Sequence, residues 1–486
     1  MTPSEIRQRL DSVLPFVVKP QRYLGGEINS VRKEHSSVEA TIALIYPDMY
    51  EIGASNNGLS ILYHVVNSDK RFCAERAYMP DADMRKQLET AAIPLYSLES
   101  FTPLTEFNAV GFTLQYELNH TNIPVILDLA GITVLRKKRA ETEPLIIMGG
   151  PLSCNPLPVS EIADAVVVGD GEETIIAIMA ILATDRTKQE KLKLLSYIEG
   201  VFVPEYPSVN FKMARIPELK PENYPAKPLV PLIETVHLRS AIEVMRGCSR
   251  GCRFCAAGYH YRPVRERQAE DVVSQISCSM AGEGWRDISL LSLSTADYSG
   301  LANVLDSCYS EARESHAQIS LPSTRIDKAT ENLFSRMDLS RRSGITFAPE
   351  AGSERLRAVI NKGLTEPDII DNLRIALRAG YQVVKLYFML GLPTETDEDV
   401  DEMASLIMKA EKVLREFKGR RFLHVSVSPF SPKPGTPFER EELISEQLWN
   451  IRIRRLRDAL RNSRAELTWG DAFTAMLETV FARGGA

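Results

Sequence analysis

The chain has 486 residues, well beyond one ordinary domain, so two or more domains are expected. Hydrophobic residues at 44% and charged residues at 25% are those of a folded globular protein, and a formal net charge of −6 excludes a globally basic nucleic-acid binder while leaving local patches open. The opening MTPSEIRQRLDSVL lacks a basic stretch followed by an apolar run, no run of about eighteen apolar residues offers a membrane span, and seven cysteines are not spread like a disulfide framework, so a cytoplasmic, reducing setting is expected.

Residues 1–38 form a polar N-terminal extension in which Pro20 and Gly25-Gly26 break any long helix. From 39 to 185 strands and helices alternate. Strands are expected over 38–48, 91–100, 107–115 and 144–151, and helices over 56–68 and 122–132. Residues 162–183 read as a strand, a Gly-rich turn and a helix. Strands that are apolar throughout, alternating with helices, imply a doubly wound parallel sheet of Rossmann type. Residues 186–232 read as a Pro-rich linker, with seven prolines from Pro204 to Pro231. Alternation resumes over 233–440, with six strands expected at 241–247, 288–294, 318–324, 343–350, 381–391 and 422–430. Six strands in that length imply an open or partial α/β barrel, whose chemistry belongs at the C-terminal strand ends. Residues 441–486 read as a helical tail.

Three of the seven cysteines, Cys248, Cys252 and Cys255, crowd the loop RGCSRGCRFCAAGYHYRPVRER that follows the first strand of the second region. Three thiolates from one small loop suit an iron–sulfur cluster with one iron left without a protein ligand. Gly247 and Gly251 allow the backbone to wrap the cluster, and Arg246, Arg250 and Arg253 offset its negative charge. A zinc site closed by His260 stays open as an alternative. Cys73, Cys154, Cys278 and Cys308 read as buried small hydrophobes.

Cys-x3-Cys-x2-Cys with Phe254 before the last cysteine resembles the radical S-adenosylmethionine (SAM) superfamily. That resemblance implies a [4Fe–4S] cluster on the three cysteines, whose open iron chelates SAM and whose reduction yields a 5′-deoxyadenosyl radical. It implies SAM contacts at Asp297, in the place of the family's amino-group segment, at Ser323 and Arg325 after the third strand, and at Glu350 after the fourth. Gly391 and Leu392, in KLYFMLGLPTET, would lie beside adenine. SPFSPKPGTPFE (428–439) is similar to a sixth-strand ending of several subfamilies.

In the first region, Asp48-Met49-Tyr50-Glu51-Ile52-Gly53 resembles the cobalamin-binding frame Asp-x-His-x-x-Gly, with tyrosine in the place of the histidine that ligates cobalt. Thr113 stands where that fold has a serine, and Gly149-Gly150 and the Gly169/Gly171 pair of GDGEE follow in the same order. The chain is thus similar to the class B, cobalamin-binding radical SAM proteins, and closest to an uncharacterised bacterial group with a B12-binding domain. This implies cobalamin as a third cofactor, an external one-electron donor such as flavodoxin or ferredoxin, and methyl transfer to an unactivated carbon. Rearrangement or cyclisation, RNA or protein modification without cobalamin, and a non-catalytic Fe–S protein are the alternatives. His64 and His120 are candidate replacement ligands, although structural histidines are the more ordinary reading. RIRRLRDALRNSR (452–464) carries six arginines that would meet RNA phosphates, but a solvated helical face is favoured.

Overall fold

Seven consecutive buried residues, Ala40–Tyr46, make the first strand, β1, which pairs with a parallel strand on each side. The computed structural model describes residues 1–207, 211–282, 284–322 and 344–485. The chain divides into two units, Met1–Leu238 with Gly484–Ala486, and Arg239–Arg483.

In unit 1, β1 is followed by β2 (Phe72–Tyr78), β3 (Ala109–Thr113), β4 (Leu145–Gly149), β5 (Ala165–Val167) and β6 (Val201–Phe202). Their order is β2-β1-β3-β4-β5-β6; the first five are parallel and β6 is antiparallel to β5. Alternation along β1 sends Ala43 and Ile45 into one core and Ile42 and Leu44 into another. Both faces of the sheet are therefore covered, as the sequence implied. The order reverses between β1 and β3, the place where such sheets open a ligand crevice.

Two expectations are corrected here. Residues 91–100 are not a strand; the missing strand is β2, FCAERAY. Glu75 and Arg76 hide it in the sequence because charge normally signals exposure, yet both are 2% exposed or less. Glu75 accepts from Ser97 and Ser100 and contacts His35 Nε2 at 2.9 Å, while Arg76 donates to Glu99 at 2.6 Å and lies 3.1 Å from Glu27. The Pro-rich linker is no bare connector. It carries helix Lys188–Leu195 and β6, and Ile216, Leu219 and Tyr224 pack on Ile61. The N-terminal extension holds a capped helix, Pro3–Val13, whose Ile6, Leu10 and Val13 enter the core.

In unit 2, β7 (Ser240–Glu243) leads to a short antiparallel pair, β8 (Met245–Arg246) and β9 (Arg265–Glu266). Next come β10 (Asp287–Leu291), β11 (Gln318–Ser320), β12 (Gly344–Glu350), β13 (Val383–Leu390), β14 (Phe422–Pro429) and β15 (Glu466–Trp469). They form two parallel sheets, β11-β10-β7 and β12-β13-β14-β15. The tail is thus not wholly helical: helices Glu446–Ala459 and Ala472–Arg483 flank β15. Helix Asp397–Arg415 fills the larger core, with Val400, Met403, Leu406 and Ile407 fully buried.

Candidate metal centre

β7 and β8 deliver the chain to Gly247, where φ is +94° and a Cβ would stand 2.7 Å from the Tyr261 carbonyl oxygen. Only glycine turns the strand into the cysteine loop there. Cys255 then starts helix Ala256–His260, its N–H donating to the Cys252 carbonyl at 3.2 Å. The Cys255 thiol is pushed up, first by burial and then by its neighbours Cys252 and Cys248, while Lys362 pulls it down.

The loop is clasped by the turn that follows helix Glu354–Val359. The Asn361 side chain donates to the Gly251 carbonyl at 2.8 Å, and the Arg253 N–H donates to the Ile360 carbonyl at 3.0 Å. The Arg253 guanidinium donates to the Val359 carbonyl. Lys362 lies 5.9 Å from the Phe254 ring centroid and 3.2 Å from Glu350. Glu350 ends β12 at φ +70°, a strained conformation for a non-glycine residue. Burial raises its carboxyl, and Lys362 opposes that rise.

On the other side Arg250 pairs with Asp297 through two donors, and Ser294 donates to the same carboxylate at 2.7 Å. Leu392 is buried in a small apolar cluster with Leu356, Ile360 and Phe430, and Phe254 packs against that cluster. Gly391 precedes it at φ +86°, where a Cβ would lie 2.6 Å from that of Ile444, and its N–H donates to Glu395 at 2.9 Å. Asp297, Glu350 and Leu392, expected from scattered strand ends, therefore meet the cysteine loop through Arg250, Lys362 and Phe254. Ser323 and Arg325 lie outside the described residues.

Of the expected counter-charges, Arg246 pairs with Glu243 at 2.8 Å and Arg250 with Asp297. Lys362 and Asn361 were missed. An Asn-Lys-Gly turn after a helix is legible as a stop, but nothing local marks it as the partner of a loop 110 residues earlier. Among the described residues, His35, Cys73 and Glu75 are the one trio whose ligand atoms all lie within 4.8 Å of one another. His260 is buried with its ring edge-on to Tyr261 at 4.8 Å. In the His35 trio, Ser97, Ser100 and His35 already occupy Glu75, and burial pushes Cys73 up to about 12, so the trio reads as structural. Cys278 is exposed and Cys154 half-buried, against the expectation of buried thiols.

In unit 1, Tyr50 is 4% exposed; its hydroxyl donates to Glu27 at 3.1 Å and its ring meets Tyr78 edge-on at 5.3 Å. It is committed to the interior and does not offer an oxygen to a metal in the crevice. The glycines serve packing: a Cβ on Gly53 would lie 2.5 Å from the Tyr78 ring, on Gly150 2.8 Å from the Leu114 carbonyl oxygen, on Gly169 2.1 Å from that of Ala214, and on Gly171 3.0 Å from Leu62. Gly149 is looser, with Val167 at 3.4 Å. Asp48 and Thr113 stand at the ends of β1 and β3, flanking the switch point; Asp48 accepts from its neighbour Met49 at 2.8 Å and Thr113 accepts from Gln115 at 3.1 Å. His64 contacts the Glu222 carbonyl at 3.1 Å, and burial lowers His120 to about 4. Asp48 and Thr113 thus put polar groups beside the switch point, whereas Tyr50 turns its hydroxyl to Glu27.

The six-arginine segment is also spoken for in part: Arg452 pairs with Glu395, and Arg455 with Asp397 at 3.0 Å and Asp401 at 2.7 Å. Among the described residues no helix is long and apolar enough to cross a membrane.

Residues 58–204 match the model for radical SAM proteins, N-terminal, and residues 242–407 match that for the radical SAM superfamily. An uncharacterized protein of Methanocaldococcus jannaschii is 29% identical over 450 residues, 91% of this chain and 88% of that one. A putative methylthiotransferase of the same organism is 25% identical over 391 residues, 78% of this chain and 76% of that one. Among solved structures, the radical SAM methyltransferase TsrM from Kitasatospora setae, with cobalamin and a [4Fe–4S] cluster bound, covers 82% of this chain and 77% of its own at 14% identity and a TM-score of 0.58, a likeness of fold.

Proposed function

Because the chain belongs to the radical SAM superfamily, we propose that it is an enzyme that holds a [4Fe–4S] cluster on Cys248, Cys252 and Cys255 and uses SAM and cobalamin to methylate an unactivated carbon. The cysteine loop carries this reading: three thiols of suitable spacing, braced by residues 358–362 and flanked by two ion pairs. The cluster, when reduced by an external donor such as flavodoxin or ferredoxin, supplies one-electron cleavage of SAM and so a radical that abstracts hydrogen. Cobalamin, when bound, supplies the methyl carrier.

This chain's residues position and shield. Asn361 and the Ile360 carbonyl fix the loop backbone. Asp297 and Glu350 offer carboxylates to the ammonium group of SAM, and each carboxylate is already held by a cation, Arg250 or Lys362. Gly391 and Leu392 keep the adenine side dry. Asp48, Thr113 and Gly149 rim the unit 1 crevice that would take cobalamin. The setting is cytoplasmic.

A second reading keeps the radical chemistry but drops cobalamin, with RNA, protein or a rearranging small molecule as substrate. The burial of Tyr50 and the use of Gly53, Gly150 and Gly169 in packing favour it. Anaerobic reconstitution with iron, sulfide and hydroxocobalamin decides. About four irons and one cobalt per chain support the first reading. Iron without cobalt moves the case to the second. In either, Cys252→Ala is expected to abolish the cluster and SAM cleavage while unit 1 keeps its circular dichroism; cleavage at the wild-type rate would overturn both.

A further inference from the structure

We propose that Lys362 is a positioning residue that holds a fixed positive charge beside the last cysteine of the loop and so favours the reduced form of the cluster. The inference rests on the cluster reading above. Its ground is geometric. Lys362 follows Ile360 and Asn361, whose carbonyl and amide hold Arg253 and Gly251 of the cysteine loop, so its backbone is tied to that loop. Its own N–H donates to the Arg357 carbonyl at 2.8 Å. Its ammonium lies between Glu350, at 3.2 Å, and the ring of Phe254, the residue next to Cys255. The side chain is 11% exposed, so water screens its field weakly.

A buried ammonium is held by its ion partner and, more weakly, by an aromatic face, and Lys362 has both. Glu350 alone would explain a salt bridge. It does not explain the second contact, in which the same ammonium stands 5.9 Å from the ring centroid of Phe254, a residue of the cysteine loop itself. Reduction transfers one electron from the donor to the cluster, breaks no bond and adds one negative charge. A nearby cation stabilises that product more than the oxidised form.

The test is a dithionite titration of the reconstituted full chain with mediators and without SAM, followed by electron paramagnetic resonance of the reduced cluster. Lys362→Met keeps the aliphatic stem and removes the charge; Lys362→Arg keeps the charge. At the wild-type midpoint, Lys362→Met is expected to show a ratio of reduced to oxidised cluster at least about tenfold lower, a shift of about 59 mV for one electron. Lys362→Arg is expected to stay close to the wild type. An unshifted Lys362→Met with full iron overturns the inference. If Lys362→Met loses iron while Lys362→Arg retains both iron and midpoint, the charge beside the loop is again what matters. If both variants lose iron, the residue acts by shape and the inference falls. Wild-type protein that takes up no cluster is seen earlier, in iron and sulfide analysis, and sinks the functional reading itself.

Discussion

Gly352 lies two residues beyond Glu350, and a Cβ built there would stand 2.3 Å from both Cα and Cβ of Met403. Carbon atoms in contact prefer about 3.5–4.0 Å, so Gly352→Ala forces helix Asp397–Arg415 to retreat by about 1 Å. The atoms in the way are largely backbone, and no rotamer change relieves them. The helix face that retreats carries Val400, Met403, Leu406, Ile407, Val413 and Leu414, each at most 5% exposed. A gap of about 0.5–1 Å forfeits a quarter to a half of each dispersion contact, and overpacking by itself costs about 1–3 kcal/mol. With the clash spread along a nineteen-residue helix, a loss of about 3–5 kcal/mol is expected. All three tryptophans, Trp285, Trp449 and Trp469, lie in unit 2, so urea unfolding followed by tryptophan fluorescence reports that unit. At urea slopes of about 1–3 kcal/mol per M, the midpoint falls by about 1 M or more. Gly282→Ala is the control: it meets nothing within 4 Å at a helix end and is expected to stabilise by a few tenths of a kcal/mol, up to about 1. A Gly352→Ala midpoint within about 0.3 M of wild type would refute the packing argument.

Glu99 gives unit 1 a pH dependence. Burial pushes its carboxyl up from 4.5 to about 7, so its contribution is fully present below about 4.5 and is lost as pH rises through about 7, with a ceiling of about 3 kcal/mol. Glu27 and Glu75 are lowered, so their contribution is present above 4.5 and is lost on acidification. Tyrosine circular dichroism of unit 1 during melting should show highest stability between these windows, and Glu99→Gln should remove the alkaline fall. Tyr50→Phe leaves Glu27 one donor short and should cost about 1 kcal/mol, with cobalt uptake unchanged; loss of cobalt would make Tyr50 a ligand after all. Asn361→Gly keeps the backbone at φ +55° accessible and removes the amide clasp. Amide hydrogen exchange over 248–255 should rise severalfold with little change in the urea midpoint, and unchanged exchange would mean that the loop holds itself.

β1, β3 and β4 were legible because each is a short apolar run between turn residues. β2 was not, since its Glu75 and Arg76 look like surface until Glu99, 23 residues on, is known to meet Arg76. β15 was not, since ELTW is too short and too exposed to show a period, and only its pairing with β14 makes it a strand. The arginines of 452–464 advertised phosphate; Arg452 in fact closes on Glu395, 57 residues earlier.

Spacing and periodicity are properties of neighbours along the chain. They were enough to determine two α/β regions, a switch-type sheet in the first, and three thiols on one loop after a strand. Which charges are buried, which glycines are packed against another residue, and which cation stands against the ring of Phe254 depend on residues tens to hundreds of positions apart. The free energy of a charge or a Cβ is set by what surrounds it in space, so Tyr50, Gly169, Asn361 and Lys362 acquired their roles only once the chain was folded.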